Sequence, residues 1–394
     1  MDVQRVVLAS AVLALAANTP AIPPEETGSP ESITLDAETV AIPLDLKTGR
    51  ALVRASLNGR GPYDFILDTG SSQAVIDADL ARELNLPSVG QTEVHDPTAP
   101  DPFTVDEVRA DVFRMGGVSL SGLTFAAFPL RDMLGDRCGG VLGISVLAEM
   151  LVTLDVPRER MLVARGELGR DEPGVVEFTS DGCPIVLEMK VNGRTLTAHL
   201  DTGNPGEIML PRRLSEEWAF LSEPVEVGRV GTVGNTAAVW SAQIDGTIEV
   251  AGLVFQDPHV MLSGLLPAGA NLGLEAFRDA VLTIDQKHGR LRIERAASAP
   301  SKRTGRRRVG VMFRGMARAV DGLPIEDGGL PVAGVAPGSY AEKAGLRPGD
   351  VILSVNGKPT VEIGTDELGR IFGAWDPIEF KIRRDGRTLT LRVD

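Results

Sequence analysis

Phe65-Ile66-Leu67-Asp68-Thr69-Gly70 and Ala198-His199-Leu200-Asp201-Thr202-Gly203 are two apolar runs that end in the same triplet, 133 residues apart (201 − 68). A given triplet is expected about a tenth of a time by chance in a chain of this length, so the surroundings decide whether the pair is meaningful. They repeat too. Val112 to Val118 has its counterpart in Thr247 to Leu253, with Gly117 and Gly252 135 apart (252 − 117). Gly140-Val141-Leu142-Gly143-Ile144 matches Asn271-Leu272-Gly273-Leu274 at 130 (273 − 143). Leu151 to Asp155 matches Ala280 to Asp285, also at 130 (285 − 155). Four landmarks in one order indicate a duplicated unit.

Each unit reads as mostly β. Leu52 to Leu57 and Tyr63 to Leu67 are strands around an Asn58-Gly59 tight turn, and the second strand delivers Asp68. Pro184 to Val191, Asn192-Gly193 and Thr195 to Leu200 repeat the hairpin in front of Asp201. Asp79 to Leu84 and Arg213 to Trp218 read as short helices after each triplet.

On these residues the chain resembles the retropepsin-like and pepsin-like aspartic proteases, over roughly 40–165 and 180–295. The resemblance implies two β lobes, each contributing one Asp-Thr-Gly loop, and an apolar-apolar-Gly element behind each loop. Val141-Leu142-Gly143 and Asn271-Leu272-Gly273 occupy that place, and Asn271 departs from an apolar first position. It also implies that Asp68 and Asp201 are the catalytic acids, one acting as base on a water and the other as acid. Two carboxylates side by side cannot both ionise, so they share a proton and titrate as one unit. Thr69 and Thr202 would tie the lobes, and Gly70 and Gly203 would let backbone approach closely. The Ser71 hydroxyl would donate to Asp68, with Asn204 in the equivalent place of the second lobe. No metal and no cofactor is implied. A flap is expected in each lobe, with Val227 to Gly234 and His95 to Pro102 as candidates; an ordinary surface loop is the competing reading of both.

Other readings stay open. Asp-Thr-Gly is good turn chemistry by itself, and an intact pair of acids is compatible with a non-catalytic peptide-binding scaffold. A third reading pairs equivalent lobes between two chains. Other catalytic classes find little support. The four His, at 95, 199, 259 and 288, have no His-Glu-x-x-His spacing, and there is no Gly-x-Ser-x-Gly elbow.

Beyond residue 295 the composition shifts. Residues 296–308, with Lys302, Arg303, Arg306, Arg307 and Arg308, read as a solvated basic linker. Residues 309–394 resemble a bacterial-type PDZ domain on the stretch Gly338 to Gly357, where a short helix ends at Gly345, Pro348-Gly349 turns, and Asn356-Gly357 makes a tight hairpin. The resemblance implies an added-strand peptide ligand whose carboxylate meets backbone N–H groups near Val309, Gly310 and Val311, with Asp366 to Phe372 as the facing helix. A recruiting and a purely structural or regulatory role both stay open.

Composition bounds the rest. Forty basic against 54 acidic residues leave a net charge of −14, which does not suggest nucleic-acid binding. Arg5 and the apolar run Val6 to Ala17 match a secretory signal peptide, cut after Ala16 or near Ala21, although an uncleaved anchor is the alternative. The expectation is an exported, periplasmic or secreted, bacterial protein with a peptide or protein substrate and no transmembrane span in the mature chain. Cys138 and Cys183 either bridge the lobes or stay unpaired. The full expectation is a mostly β chain: a signal peptide (1–21), a flexible N-terminus (22–38), lobe 1 of a two-lobed β-barrel pseudo-dimer (39–165), a connection (166–180), lobe 2 (181–295), the basic linker, and a PDZ β-sandwich or barrel with short helices (309–394).

Overall fold

A computed structural model describes residues 7–8, 29–47, 49–94, 103–135, 137–180, 185–221, 223–231, 236–266, 268–296, 303–304, 309–313, 325–335, 339–364, 367–368, 371–372 and 376–393. The chain is mostly β, arranged in four sheets. In the first lobe, strands Leu52–Leu57, Arg60–Asp68, Cys138–Gly143, Ala74–Asp77, Val118–Phe128 and Phe103–Met115 follow one another in hydrogen-bonded order. Phe103–Met115 pairs with Val118–Phe128 on one side and with Leu52–Leu57 on the other, which closes the ring into a barrel. In the second lobe the corresponding hairpin, Thr247–Val250 and Leu253–Gln256, is only four residues per strand. It is too short to reach both sides, and among the described residues that sheet stays open.

The hairpins expected in front of each acid form. Asn58 and Gly59 take φ of 48° and 78°, and Asn192 and Gly193 take 50° and 81°. A tight two-residue turn with both central φ positive matches the twist of the strands it joins. Strand Leu151–Asp155 pairs antiparallel with its own counterpart, Ala280–Asp285, with Thr153 opposite Thr283 and their hydroxyls 3.2 Å apart. A residue facing its own repeat equivalent marks the pseudo-two-fold axis. Six strands, from Val175–Glu177 at one edge to Thr39–Pro43 at the other, form this shared sheet beneath both lobes.

One hydrophobic core runs through the two lobes and the shared sheet. In lobe 1 it centres on Phe65, Phe113 and Phe125, with Phe65 and Phe113 edge-to-face at 5.1 Å. A second core, including Phe313, Leu330, Ile352, Phe380 and Ile382, belongs to the C-terminal sheet. There Ser339 caps helix Tyr340–Lys343 by accepting from the Glu342 N–H, and Gly345 follows it at φ 85°. The buried Asp350 accepts from the Arg347 N–H and from the Arg384 guanidinium.

Several expectations are corrected. Helix Ala78–Leu84 forms, with Asp77 capping Asp79 N and Leu80 N. Its expected counterpart is a 3₁₀ helix, Arg212–Glu217, because Pro211 precedes it and supplies no side-chain cap. Ser32–Leu35, read as part of a flexible terminus, pairs antiparallel with Val118–Ser121. Arg303–Thr304, read as solvated tether, extends the lobe 2 sheet beside Phe255–Gln256. Val175–Glu177 makes the inter-lobe connection an edge strand against Arg290–Arg292. Val7–Leu8 pairs in parallel with Arg229–Val230, and the rest of the expected signal peptide lies outside the described residues.

Candidate active site

Asp68 ends strand Arg60–Asp68, and Asp201 ends Arg194–Asp201. Each strand lies parallel to the element behind its loop, with Gly143 opposite Asp68 and Gly273 opposite Asp201. The two glycines sit under the turns. A Cβ on Gly143 would lie 2.4 Å from the Gln73 carbonyl oxygen, and one on Gly273 would lie 2.2 Å from that of Gly206. Both neighbours are backbone and cannot swing away. Gly143→Ala and Gly273→Ala are each expected to lower unfolding free energy by about 1–3 kcal/mol, measured by urea titration.

The two loops are stitched reciprocally. The Thr69 hydroxyl donates to the Leu200 carbonyl at 2.9 Å and accepts from the Thr202 N–H at 3.0 Å. The Thr202 hydroxyl donates to the Leu67 carbonyl at 2.7 Å and accepts from the Thr69 N–H at 3.1 Å. Four backbone groups thereby find partners across the lobe boundary. Gly70 and Gly203 have no Cβ because none fits: it would lie 3.0 Å from Asp201 Cγ in the first case and 2.7 Å from Asp68 Cγ in the second.

This stitching sets each acid against the glycine of the opposite loop, so the Asp68 and Asp201 carboxyls meet at the lobe boundary. Both are buried, at 1% and 2% exposure. Burial, and then the neighbouring Asp201 charge, push the Asp68 carboxyl well above the usual carboxylate range, against the opposing effect of the Gly70 and Gly203 N–H groups. The Gly70 N–H donates to Asp68 Oδ1 at 2.7 Å, and the Asn204 N–H to Asp201 Oδ1 at 3.0 Å.

Three features escaped the sequence reading. Ser71 does not serve Asp68: its hydroxyl donates to the Gln73 carbonyl at 3.0 Å and accepts from the Gln73 N–H, closing its own turn. Asn271, noted only as a departure from pattern, donates from Nδ2 to Asp201 Oδ2 at 2.7 Å. Its own Oδ1 accepts from Asn204 Nδ2 at 2.6 Å, so the Asn204 amide reaches Asp201 through Asn271. The coincidence of Asn204 and Asn271 in one lobe was the available signal. Arg50, wholly buried, donates from Nε to the Gly203 carbonyl at 3.1 Å. Burial lowers it from the ordinary guanidinium value, while Cys138, Asp201 and Asp68 oppose that. A buried guanidinium beside two buried acids offsets part of their charge.

Of the flap candidates, strands Val225–Gly231 and Thr236–Gln243 form a hairpin whose tip lies outside the described residues. Residues 95–102 also lie outside them, between the paired strands Ser88–Val94 and Phe103–Met115. Cys138 is buried, and Cys183 lies outside the described residues. In the C-terminal sheet Val309 is buried, Gly310 has φ 81°, and Val311 begins Val311–Phe313, which among the described residues is an edge strand.

Comparisons with known proteins match two separate parts of the chain. A family model described as aspartyl protease matches residues 53–146, and one described as PDZ domain matches residues 332–384. Among curated proteins the chain is similar to "Putative protease Do-like 14" of Arabidopsis thaliana, 45% identical over 48 residues, which is 12% of this chain and 11% of that protein. It is also similar to "Probable periplasmic serine endoprotease DegP-like" of Marinomonas sp. (strain MWYL1), 41% identical over 75 residues, 18% of this chain and 15% of that protein. The match thus spans a small part of either relative. Among solved structures, basic 7S globulin from soybean aligns with TM-score 0.42 and 10% identity over 66% of this chain and 95% of that one. The PDZ domain of HtrA3 bound to a phage-derived ligand aligns with TM-score 0.16 and 30% identity over 18% of this chain and 65% of that one. The chain thus carries an N-terminal region matched by the aspartyl-protease model and a C-terminal PDZ domain.

Proposed function

We propose that this protein is an exported aspartic endopeptidase, with Asp68 and Asp201 as its catalytic dyad and the PDZ domain as a module for peptide recruitment or regulation. The observation that carries the reading is that two buried acids meet across the lobe boundary, where burial and its neighbour's charge raise the Asp68 carboxyl above the ordinary range. A one-proton pair can act on both sides of a peptide carbonyl at once. The ionised acid takes a proton from a water as its oxygen bonds to the carbonyl carbon, and the protonated acid gives its proton to the carbonyl oxygen. The resulting gem-diol collapses when the first acid passes its new proton to the amide nitrogen. The C–N bond breaks, and the second acid recovers a proton from one hydroxyl. Water is consumed, an acid and an amine form, and the dyad returns to its starting state. Neither step calls on a metal or cofactor.

Export rests on the Arg5 and Val6 to Ala17 pattern, and the word "periplasmic" belongs to a relative. No helix among the described residues is long and apolar enough to cross a membrane. For the PDZ domain, the edge strand Val311–Phe313 presents a row of backbone groups to which an extended peptide can add, with Val309, Gly310 and Val311 at the carboxylate end. The test is incubation of the full chain with a peptide library from acid to neutral pH in ¹⁸O-water, with products read by mass spectrometry. Cleavage with ¹⁸O in the new carboxyl, blocked by a statine-type transition-state mimic, is expected. Binding of peptides without turnover at any pH would instead leave a peptide-binding scaffold.

A further inference from the structure

The two acids are not equivalent, and the difference lies in the side chains behind them. On the lobe 2 side a chain of donors converges on Asp201. The Gly206 N–H donates to Asn204 Oδ1 at 2.8 Å, Asn204 Nδ2 to Asn271 Oδ1 at 2.6 Å, and Asn271 Nδ2 to Asp201 Oδ2 at 2.7 Å. Asn204 and Asn271 are buried, at 2% and 1% exposure. Each link fixes the next: the Gly206 N–H can only donate, so Asn204 must present oxygen to it and nitrogen to Asn271. Asn271 must then present oxygen to Asn204 and nitrogen to Asp201. The amide orientation is therefore determined by a backbone group, and Asp201 Oδ2 meets a donor it can only accept from.

On the lobe 1 side the equivalent positions offer nothing of the kind. Val141 stands where Asn271 stands, and the Ser71 hydroxyl is spent on the Gln73 carbonyl. Among the described residues the hydrogen bond seen at Asp68 comes from backbone, the Gly70 N–H at 2.7 Å. Among the described residues the charged group bearing on the pair is Arg50, from the segment before Leu52, and Cys138 in turn bears on Arg50. Arg50 bears on both acids, so it balances the pair's charge without distinguishing its members as sharply as a direct donor does.

We infer that Asn271, oriented by Asn204, is a positioning residue that holds Asp201 as the ionised member of the pair and leaves the shared proton on Asp68. The inference rests on the dyad reading above and assigns its roles. Asp201 takes the proton from water, and Asp68 delivers one to the carbonyl oxygen. An amide aimed at one oxygen stabilises the anion there and opposes its protonation. The duplication has thus been broken by two asparagines, both in the second lobe, which turn an interchangeable pair into one with a set direction.

The test does not depend on turnover. The full chain is labelled with ¹³C at aspartate Cγ, the two resonances are assigned by Asp68→Asn and Asp201→Asn, and both are followed against pH. Asp201 is expected to read as carboxylate and Asp68 as carboxylic acid over the range in which one proton is bound. Asn271→Val, which copies the lobe 1 side, is expected to spread the proton over both sites and to move the acidic limb of the kcat/KM profile up by about one pH unit. A merely structural role would lower kcat at every pH and leave that limb in place. A proton found on Asp201 in the unaltered chain overturns the inference while the dyad stands, and so does a partition unchanged in a folded Asn271→Val or Asn204→Ala chain. Two carboxyls titrating independently near the ordinary value overturn both the inference and the dyad.

Discussion

Asp68→Asn and Asp201→Asn are each expected to lower kcat/KM for peptide cleavage by a factor of about 10²–10⁴ or more, to background, because each removes one partner of a two-proton exchange. An amide is nearly isosteric with the acid, so the loops should persist. Stability separates the chemical role from a structural one. The Asp68 carboxyl is held well above its ordinary 3.8 by burial and by Asp201. A carboxyl raised in the folded state binds its proton more tightly there than in the unfolded chain. Between the ordinary value and the raised one the native state therefore holds the extra proton, and stability falls as pH rises through that window. Asp68→Asn removes this loss, since the amide stays neutral. The variant is expected to be inactive and yet no less stable than the unaltered chain at neutral pH, with a difference in urea midpoint that grows from acid to neutral. Full turnover in either variant would sink the dyad reading.

Thr69→Val and Thr202→Val are expected to lower unfolding free energy by about 2–5 kcal/mol each. The replacement keeps the shape and deletes a hydroxyl that both donates and accepts. Thr69→Val strands the Leu200 carbonyl and the Thr202 N–H, and Thr202→Val strands the Leu67 carbonyl and the Thr69 N–H. Each orphaned buried group costs about 1–3 kcal/mol. The two residues serve one network, so the double variant should lose less than the sum of the singles. The groups stranded lie across the lobe boundary, so activity should fall with stability. Urea denaturation beside kcat/KM checks this. A loss within about 0.5 kcal/mol of zero, the range of an ordinary surface substitution, would mean the hydroxyls do not hold the lobes.

How far the sequence carried this reading depends on how local each feature is. The hairpins at Asn58-Gly59 and Asn192-Gly193 were legible because a tight turn is specified by two adjacent residues. The strand pairing at Thr153 and Thr283 was implicit in the repeat, since a duplicated strand that meets its copy must do so about a symmetry axis. The helix expected over Arg213 to Trp218 came out as a 3₁₀ turn because the capping side chain, Asp77 in lobe 1, has no equivalent at Pro211. Arg303–Thr304 looked like tether by composition, yet its backbone found an open sheet edge, and composition says nothing about which edges are left unpaired.

The order of residues alone established a duplicated β unit with an acid at the same point of each copy, and a separate C-terminal module, because turn chemistry, alternation and repetition act over a few residues. Three-dimensional packing alone decided how those acids differ. Ser71 turned inward on its own loop, Arg50 came to rest beneath Gly203 some 153 positions away, and Asn271 reached Asp201 from 70 positions on. Hydrogen bonds and charge compensation across such separations are set by which strands lie side by side, and that is a property of the folded molecule.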